Sequence, residues 1–290
     1  MSALILGATG NVGPHVVAEL KAAGRSPRVM VRDAERARAL LGDDIDVRAG
    51  DITNPADVDA AVEGVDTVFL LSPHGFTMAD AQLGVIRQLR RSGARIVKLS
   101  GTSSAITPDG PHACRQHWEV ERVLEESGQP FVILRPNSFL QVLVKQLMLP
   151  GWEANGTIMN ALGASGISLI DARDVGAVAA AVIENHDWDE QTLVLTGPRA
   201  VTYAEIAELI AARTGRPAEI VEVTPAAVRA SLVARGTPEW EADHFEEMYE
   251  LFRAGESAFV TDTVQQVTGR PARTIESFLD EVLPPAEATA

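Results

Sequence analysis

The sequence predicts an α/β fold, a doubly wound parallel sheet joined to a smaller, mostly helical C-terminal lobe. Three observations carry this. Short β-branched apolar runs alternate with helix-period segments through the first half. Each run is nearly continuously apolar, as in parallel strands covered on both faces. The alternation stops at Arg135-Pro136, and the later segments are longer and less regular.

Strands are expected at Ala3–Leu6, Arg28–Val31, 46–48, 67–71, Arg95–Leu99 and 131–134. Helices are expected between them at 12–23, Ala34–Leu41, Pro55–Val62, Met78–Ser92 and 112–127. Pro55 suits a first helical turn, with Asn54 or Thr53 as cap. Repeated βα units imply right-handed crossovers and a Rossmann-type sheet. After residue 136 the pattern predicts a helix at 139–149, a Gly-rich stretch at 151–166 and a strand at 167–170. A helix at 173–184 and a strand at 192–195 follow, then helices at Tyr203–Thr214, 225–235, 238–254 and 274–282. The expected division is a nucleotide-binding core, 1–135, which also draws on about 167–196. A discontinuous smaller lobe, 136–290, follows it. The terminal Ala-Glu-Ala-Thr-Ala should fray.

Composition narrows the function. The 290 residues hold 25 basic and 40 acidic side chains, a formal charge of −15. Binding a nucleic-acid backbone by bulk charge needs clustered Lys and Arg, so it is not expected. An anionic membrane surface is disfavoured for the same reason. No apolar run approaches a membrane span, the longest small-residue stretch being 175–183. The opening Met-Ser-Ala-Leu-Ile-Leu-Gly lacks a basic stretch, so no secretory leader is expected. Cys114 is the single cysteine, which suits a reducing cytoplasm. Self-association stays open.

The strongest motif is Gly7-Ala-Thr-Gly10-Asn-Val-Gly13, directly after the first strand and opening the first helix. Glycines let backbone approach a pyrophosphate, and the helix N-terminus offers N–H donors and positive dipole. Gly7, Thr9, Gly10, Asn11, Val12 and Gly13 are therefore candidates to bind a dinucleotide. The Gly-x-x-Gly-x-x-Gly spacing resembles the short-chain dehydrogenase/reductase superfamily, and the wording of this turn resembles its atypical, NmrA-like branch. The likeness continues in Val31-Arg32-Asp33, Gly50-Asp51-Ile52, Leu71-Ser72-Pro73, Leu99-Ser100-Gly101, His117-x-x-x-Glu121 and Leu134-Arg135-Pro136-Asn137. It extends to Asp171-Ala-Arg-Asp174-Val and Leu195-Thr196-Gly197-Pro198, and it loosens after about Thr224. The branch includes NAD(P)H-dependent quinone and dye reductases, so the resemblance implies such an activity on a small aromatic or quinone-like substrate.

Arg32 ends the second strand, where an arginine suits an adenosine 2′-phosphate and a carboxylate suits a 2′-hydroxyl. NADP(H) is thus preferred, with Arg36 one turn on as a helper. Asp33 keeps NAD(H) open. Asp51 and Ile52 should flank the adenine, and Leu71, Ser72 and Pro73 the ribose and nicotinamide. By resemblance, Pro136, Asn137 and Phe139 border the nicotinamide.

Classical members use Tyr-x-x-x-Lys as proton donor. The only tyrosines here, Tyr203 and Tyr249, lack a lysine four residues on. His117 and Ser100 are the replacement candidates. His117 and Glu121 share a helix face, where the carboxylate should raise the imidazole pKa. A quinone accepts hydride when merely positioned, so losing the dyad shifts the expectation toward conjugated acceptors. His74, Phe76 and Trp152 are candidate substrate contacts, with Phe139 and Met148 nearby. Phe245, Met248, Tyr249 and Phe252 form a helical stripe that reads first as core packing, with a substrate lid as the alternative. Asp243, His244 and Glu247 lack partner ligands at a metal-site spacing. Two other readings remain at this stage, a non-catalytic NADP(H) sensor and a tailoring enzyme or isomerase on the same fold.

Overall fold

The computed structural model describes residues 2–283, so the C-terminal Ala-Glu-Ala-Thr-Ala lies outside the described residues. The chain begins β1 (Ala3–Leu6), α1 (Gly13–Ala22), β2 (Arg28–Val31), α2 (Ala34–Leu41), β3 (Asp46–Ala49), α3 (Pro55–Val62). It continues β4 (Thr67–Leu70), α4 (Met78–Ser92), β5 (Arg95–Leu99), α5 (His112–Glu125), β6 (Phe131–Pro136). A π-helical segment, Gln141–Met148, runs into α6 (Leu149–Asn155), followed by β7 (Thr157–Asn160), α7 (Ala172–Glu184) and β8 (Gln191–Leu195). The rest is α8 (Tyr203–Thr214), β9 (Glu219–Glu222), α9 (Pro225–Ala234), α10 (Glu239–Arg253), α11 (Thr263–Thr268) and α12 (Ile275–Val282).

Seven strands form one parallel sheet in the order β3-β2-β1-β4-β5-β6-β8. Strand order reverses at β1, and such a reversal opens a crevice at the carboxyl ends of the strands. Alternate side chains enter opposite layers, as the pleat requires. Ile5 and Phe69 pack with α1, α2 and α7, while Leu4, Leu6, Val68 and Leu70 pack with α3, α4 and α5. The Rossmann-type α/β sheet is therefore as the sequence predicts.

Local chemistry starts the helices that border the crevice. The Asp33 carboxylate accepts the Arg36 N–H at 2.9 Å and caps α2. Asn54 caps α3, with Pro55 in its first turn. Asp171 caps α7, whose small-residue run packs against α1. Among the described residues, no helix is long and apolar enough to cross a membrane.

A third apolar core lies in the later half, where the π-helical segment, β7, α8, α10 and α12 meet around Leu140, Trp152, Ile158, Tyr203 and Phe278. Here the structure departs from the expected elements. Residues 167–170 make isolated bridges, Ile167 with Val201 and Ile170 with Phe139, and no strand. Ser168 instead bonds out of line, its N–H to the Ser257 carbonyl and its hydroxyl to the Phe259 carbonyl. The helix expected at 139–149 is π-wound. The Gly-rich stretch holds β7, which pairs in parallel with the unanticipated β9. Their pairing spans about sixty residues of sequence, beyond the reach of a local pattern.

Candidate functional site

Two cavities open at the carboxyl edge of the sheet, one of about 360 Å³ and one of about 320 Å³, and His74 lines both. The first is a cleft walled by Gly7, Thr9, Arg32, Asp33, Arg36, Asp51, Ile52, Leu71, Ser72 and Pro73. The second is a mostly apolar chamber.

The cleft is built largely by backbone. Gly7 has φ +67°, and a Cβ there would lie 2.7 Å from Leu71 Cγ. At Gly13 a Cβ would come within 2.3 Å of the Gly7 carbonyl oxygen. The turn thus folds on itself too tightly for side chains, and Gly10 and Asn11 stay exposed at its tip. No side chain caps α1, which leaves its N-terminus to a ligand. Val12 contributes only backbone, because its side chain is buried in the core.

Arg32 and Arg36 are exposed on the cleft wall, and among the described residues neither pairs with a carboxylate. In a chain of charge −15, two such arginines beside a helix N-terminus fit a phosphate-rich ligand. Asp33 also lines the cleft, and one of its carboxylate oxygens accepts the Arg36 N–H that caps α2. Asp51 closes a small turn, its Oδ1 accepting the Thr53 N–H at 2.8 Å and hydroxyl at 2.7 Å. Those bonds hold its carboxyl below the usual range. Ser72 is fixed by the Gln82 amide at 2.8 Å. The glycine cradle, the uncapped helix and the arginines together fit a dinucleotide carrying a 2′-phosphate.

The chamber is lined by Ser100, Gly101, Cys114 and His117 on one side and by Pro136, Asn137, Phe139 and Leu143 on another. The α10 stripe of Phe245, Met248, Tyr249 and Phe252 closes it, with His244. Phe252 is buried in the later core, and Met248 and Tyr249 pack against that core. The stripe therefore does both things the sequence left open, packing inward and roofing the chamber. Burial raises the Cys114 thiol to about 12, and its Sγ rests 3.6 Å from Met248 Sδ, so it is no thiolate nucleophile. Burial lowers His244 to about 3 and also lowers His74, so both are neutral near pH 7. Among the described residues no group of side chains could hold a metal ion.

Four expectations need correction. Glu121 does not serve His117. It pairs with Arg135 and accepts the Ser100 hydroxyl at 2.5 Å, because those two groups reach the same buried pocket on α5. His117 Nδ1 lies 2.9 Å from Lys98 Nζ instead. Burial and that ammonium push the imidazole well below its usual pKa, the reverse of the expected direction. Asn137 lines the chamber, but its amide is spent on Ser168, Ser257 and Ser138. Trp152 lies in the later core, its indole N–H bonded to the Pro217 carbonyl at 3.2 Å, and it does not line the chamber. Phe76 is 59 % exposed and stacks on His112, whose ring also meets Trp240.

Lys98 escaped sequence reasoning, and His244 was weighed there only as a metal ligand. Lys98 sits inside an apolar strand, Ile96-Val97-Lys98-Leu99, where a lone lysine was the available signal.

A family model described as NAD(P)H-binding matches residues 7–186. An NAD(P)H azoreductase of Xenophilus azovorans is 33 % identical over 276 residues, covering 95 % of this chain and 96 % of that protein. The crystal structure of an NADPH-dependent quinone oxidoreductase of Escherichia coli, solved with NADPH, superposes with a TM-score of 0.87 at 24 % identity. It covers 97 % of this chain and 99 % of that one. Triphenylmethane reductase of Citrobacter sp., solved with NADP(H), gives 0.85 at 21 % identity, over 98 % and 100 % of the two chains. With a glycine turn, an uncapped helix and an arginine-walled cleft in this fold, the chain belongs to the NAD(P)H-binding family and, within it, to the atypical, NmrA-like short-chain dehydrogenase/reductases.

Proposed function

We propose that this NAD(P)H-dependent oxidoreductase uses NADPH to reduce a quinone or a related conjugated acceptor, such as an azo or triarylmethane dye. The observation that carries the reading is the apolar chamber that meets the cofactor cleft at His74. Bound NADPH supplies the hydride. The glycine turn and the α1 N-terminus hold the diphosphate, and Arg32, helped by Arg36, takes the 2′-phosphate. Leu71, Ser72 and Pro73 line the cleft next to His74, the residue it shares with the chamber. Phe139, Leu143, Phe245 and Met248 offer a flat aromatic acceptor a dry surface, which positions it and excludes water. His117 and Ser100 are the polar groups on α5 and at the end of β5 that face it. Ser100 gives its hydrogen to Glu121, so His117 is the better proton donor. The azoreductase and quinone reductase likenesses support the same class.

The test is NADPH consumption by the purified protein with menadione, an azo dye and malachite green as acceptors. At least one acceptor should be turned over, with kcat/KM for NADPH exceeding that for NADH by about tenfold or more. Tight NADPH binding without turnover of any acceptor would overturn the reading.

A further inference from the structure

We propose that Lys98 and His117 form a proton relay that completes the reduction of an acceptor in the chamber, with Lys98 acting through the imidazole. The inference rests on the function proposed above. Lys98 is fully buried on β5, under α5, between the apolar Val97 and Leu99. Its Nζ donates to the Leu99 carbonyl at 2.8 Å and lies 2.9 Å from His117 Nδ1. While Lys98 is protonated, its ammonium has donors and no acceptor, so Nδ1 accepts. A neutral imidazole that accepts at Nδ1 carries its proton on Nε2. That nitrogen lies on the side of Gly101 and the chamber, 3.9 Å from where a Gly101 Cβ would stand. Lys98 thereby fixes the tautomer that presents an N–H to an acceptor.

The balance is simple. Hydride brings two electrons and one hydrogen to a quinone, and one further proton completes the hydroquinone. The Nε2–H bond breaks as that proton joins the acceptor oxygen. The Lys98 Nζ–H bond breaks as its proton joins Nδ1. The imidazole stays neutral throughout and is left as the Nδ1–H tautomer beside a free lysine amine. Because Lys98 is fully buried, a solvent proton entering from the chamber joins Nε2 and the Nδ1 proton returns to Nζ, which restores both groups. Burial lowers Lys98 to about 7 against the attraction of Glu121, which suits it to give and regain a proton near neutrality. A nearby Arg135 lowers it further, while Glu121 itself is engaged by Arg135 and Ser100. Around His117 the other titrating groups are His74 and His244, both neutral over the same range.

The test combines kinetics with ¹⁵N NMR of the holoenzyme. In the wild type, kcat for menadione should fall as pH rises through about 7, and His117 should show the Nε2–H tautomer. Lys98→Met should lower kcat about a hundredfold, remove the limb near pH 7 and mix the tautomers. NADPH affinity should stay within about twofold, since neither residue borders the cleft. His117→Phe should abolish the limb in the same way. An Nδ1–H tautomer in the wild type overturns the relay alone, as does a Lys98→Met enzyme that keeps the wild-type pH profile. If Lys98→Met loses NADPH affinity along with turnover, the lysine is structural and the relay fails. A wild type that reduces no acceptor overturns the reductase reading and the relay with it.

Discussion

The cofactor cleft and the apolar chamber share His74 and the same edge of the sheet, yet they are made differently. The cleft is written in short stretches of chain. Gly7 to Gly13, Arg32 to Arg36 and Asp51 to Thr53 each form their part of it within a few residues. The chamber is assembled from β5, α5, the end of β6, the π-helical segment and α10, elements far apart in sequence. Its polar groups are set by partners as distant as Met248 is from Cys114. Backbone dictates the first region, and long-range side-chain packing the second. The two should therefore fail in different ways when altered.

The largest effect belongs to the cleft. Gly13→Ala places a Cβ 2.3 Å from the Gly7 carbonyl and 2.5 Å from Ala8 Cα, both backbone atoms that cannot step aside. The turn must open, at a cost of about 2–4 kcal/mol. NADPH affinity, read by fluorescence titration, should fall on the order of a hundredfold. An affinity within threefold of the wild type would mean the cradle is not what holds the dinucleotide.

Arg32→Ala should be smaller and selective. Its guanidinium is exposed on the wall, so the fold does not depend on it. Loss of charge-assisted bonds to a 2′-phosphate costs about 1.5–3 kcal/mol. Kd for NADPH should then rise by roughly ten- to a hundredfold, while that for NADH, which lacks the phosphate, stays within about twofold. Added salt should shrink the difference. Equal losses for both cofactors would remove Arg32 from the 2′-phosphate site.

The same contrast explains what could be seen before the structure. The sheet was legible because parallel strands and their helices carry local periodicity, and the glycine turn because its spacing is a local backbone requirement. The cofactor preference was half legible. Arg32 was visible, but so was Asp33 beside it, and a strand end does not tell which of the two faces a ligand; the structure puts both on the cleft wall. In the chamber the residues were legible and their pairing was not. Glu121 lies four residues from His117, and that spacing suggested a partner, but Arg135 on β6 claims the carboxylate and Lys98 on β5 claims the imidazole. Helix spacing says which residues share a face; it does not say what the neighbouring strand brings to it. The π-winding of Gln141–Met148 was invisible for a related reason, since its apolar residues suit an α-helix equally well.

Trp152 draws the boundary of the chamber most finely, and there the effect should be smallest. The sequence placed it with the substrate because a flat indole suits a flat acceptor. It is instead 3 % exposed among Leu149, Ile158 and other later-core residues, and the Arg216 guanidinium lies over its ring, 5.0 Å from the centroid. Trp152→Phe keeps most of the apolar volume and removes the bond to Pro217. Stability should drop by about 0.5–1.5 kcal/mol through the orphaned carbonyl. KM for menadione and Kd for NADPH should not move, because no wall of either cavity includes the indole. A severalfold rise in KM with unchanged thermal stability would reverse this assignment. It would extend the chamber past the π-helical segment into the later core, and the acceptor would then be far longer than a single fused ring.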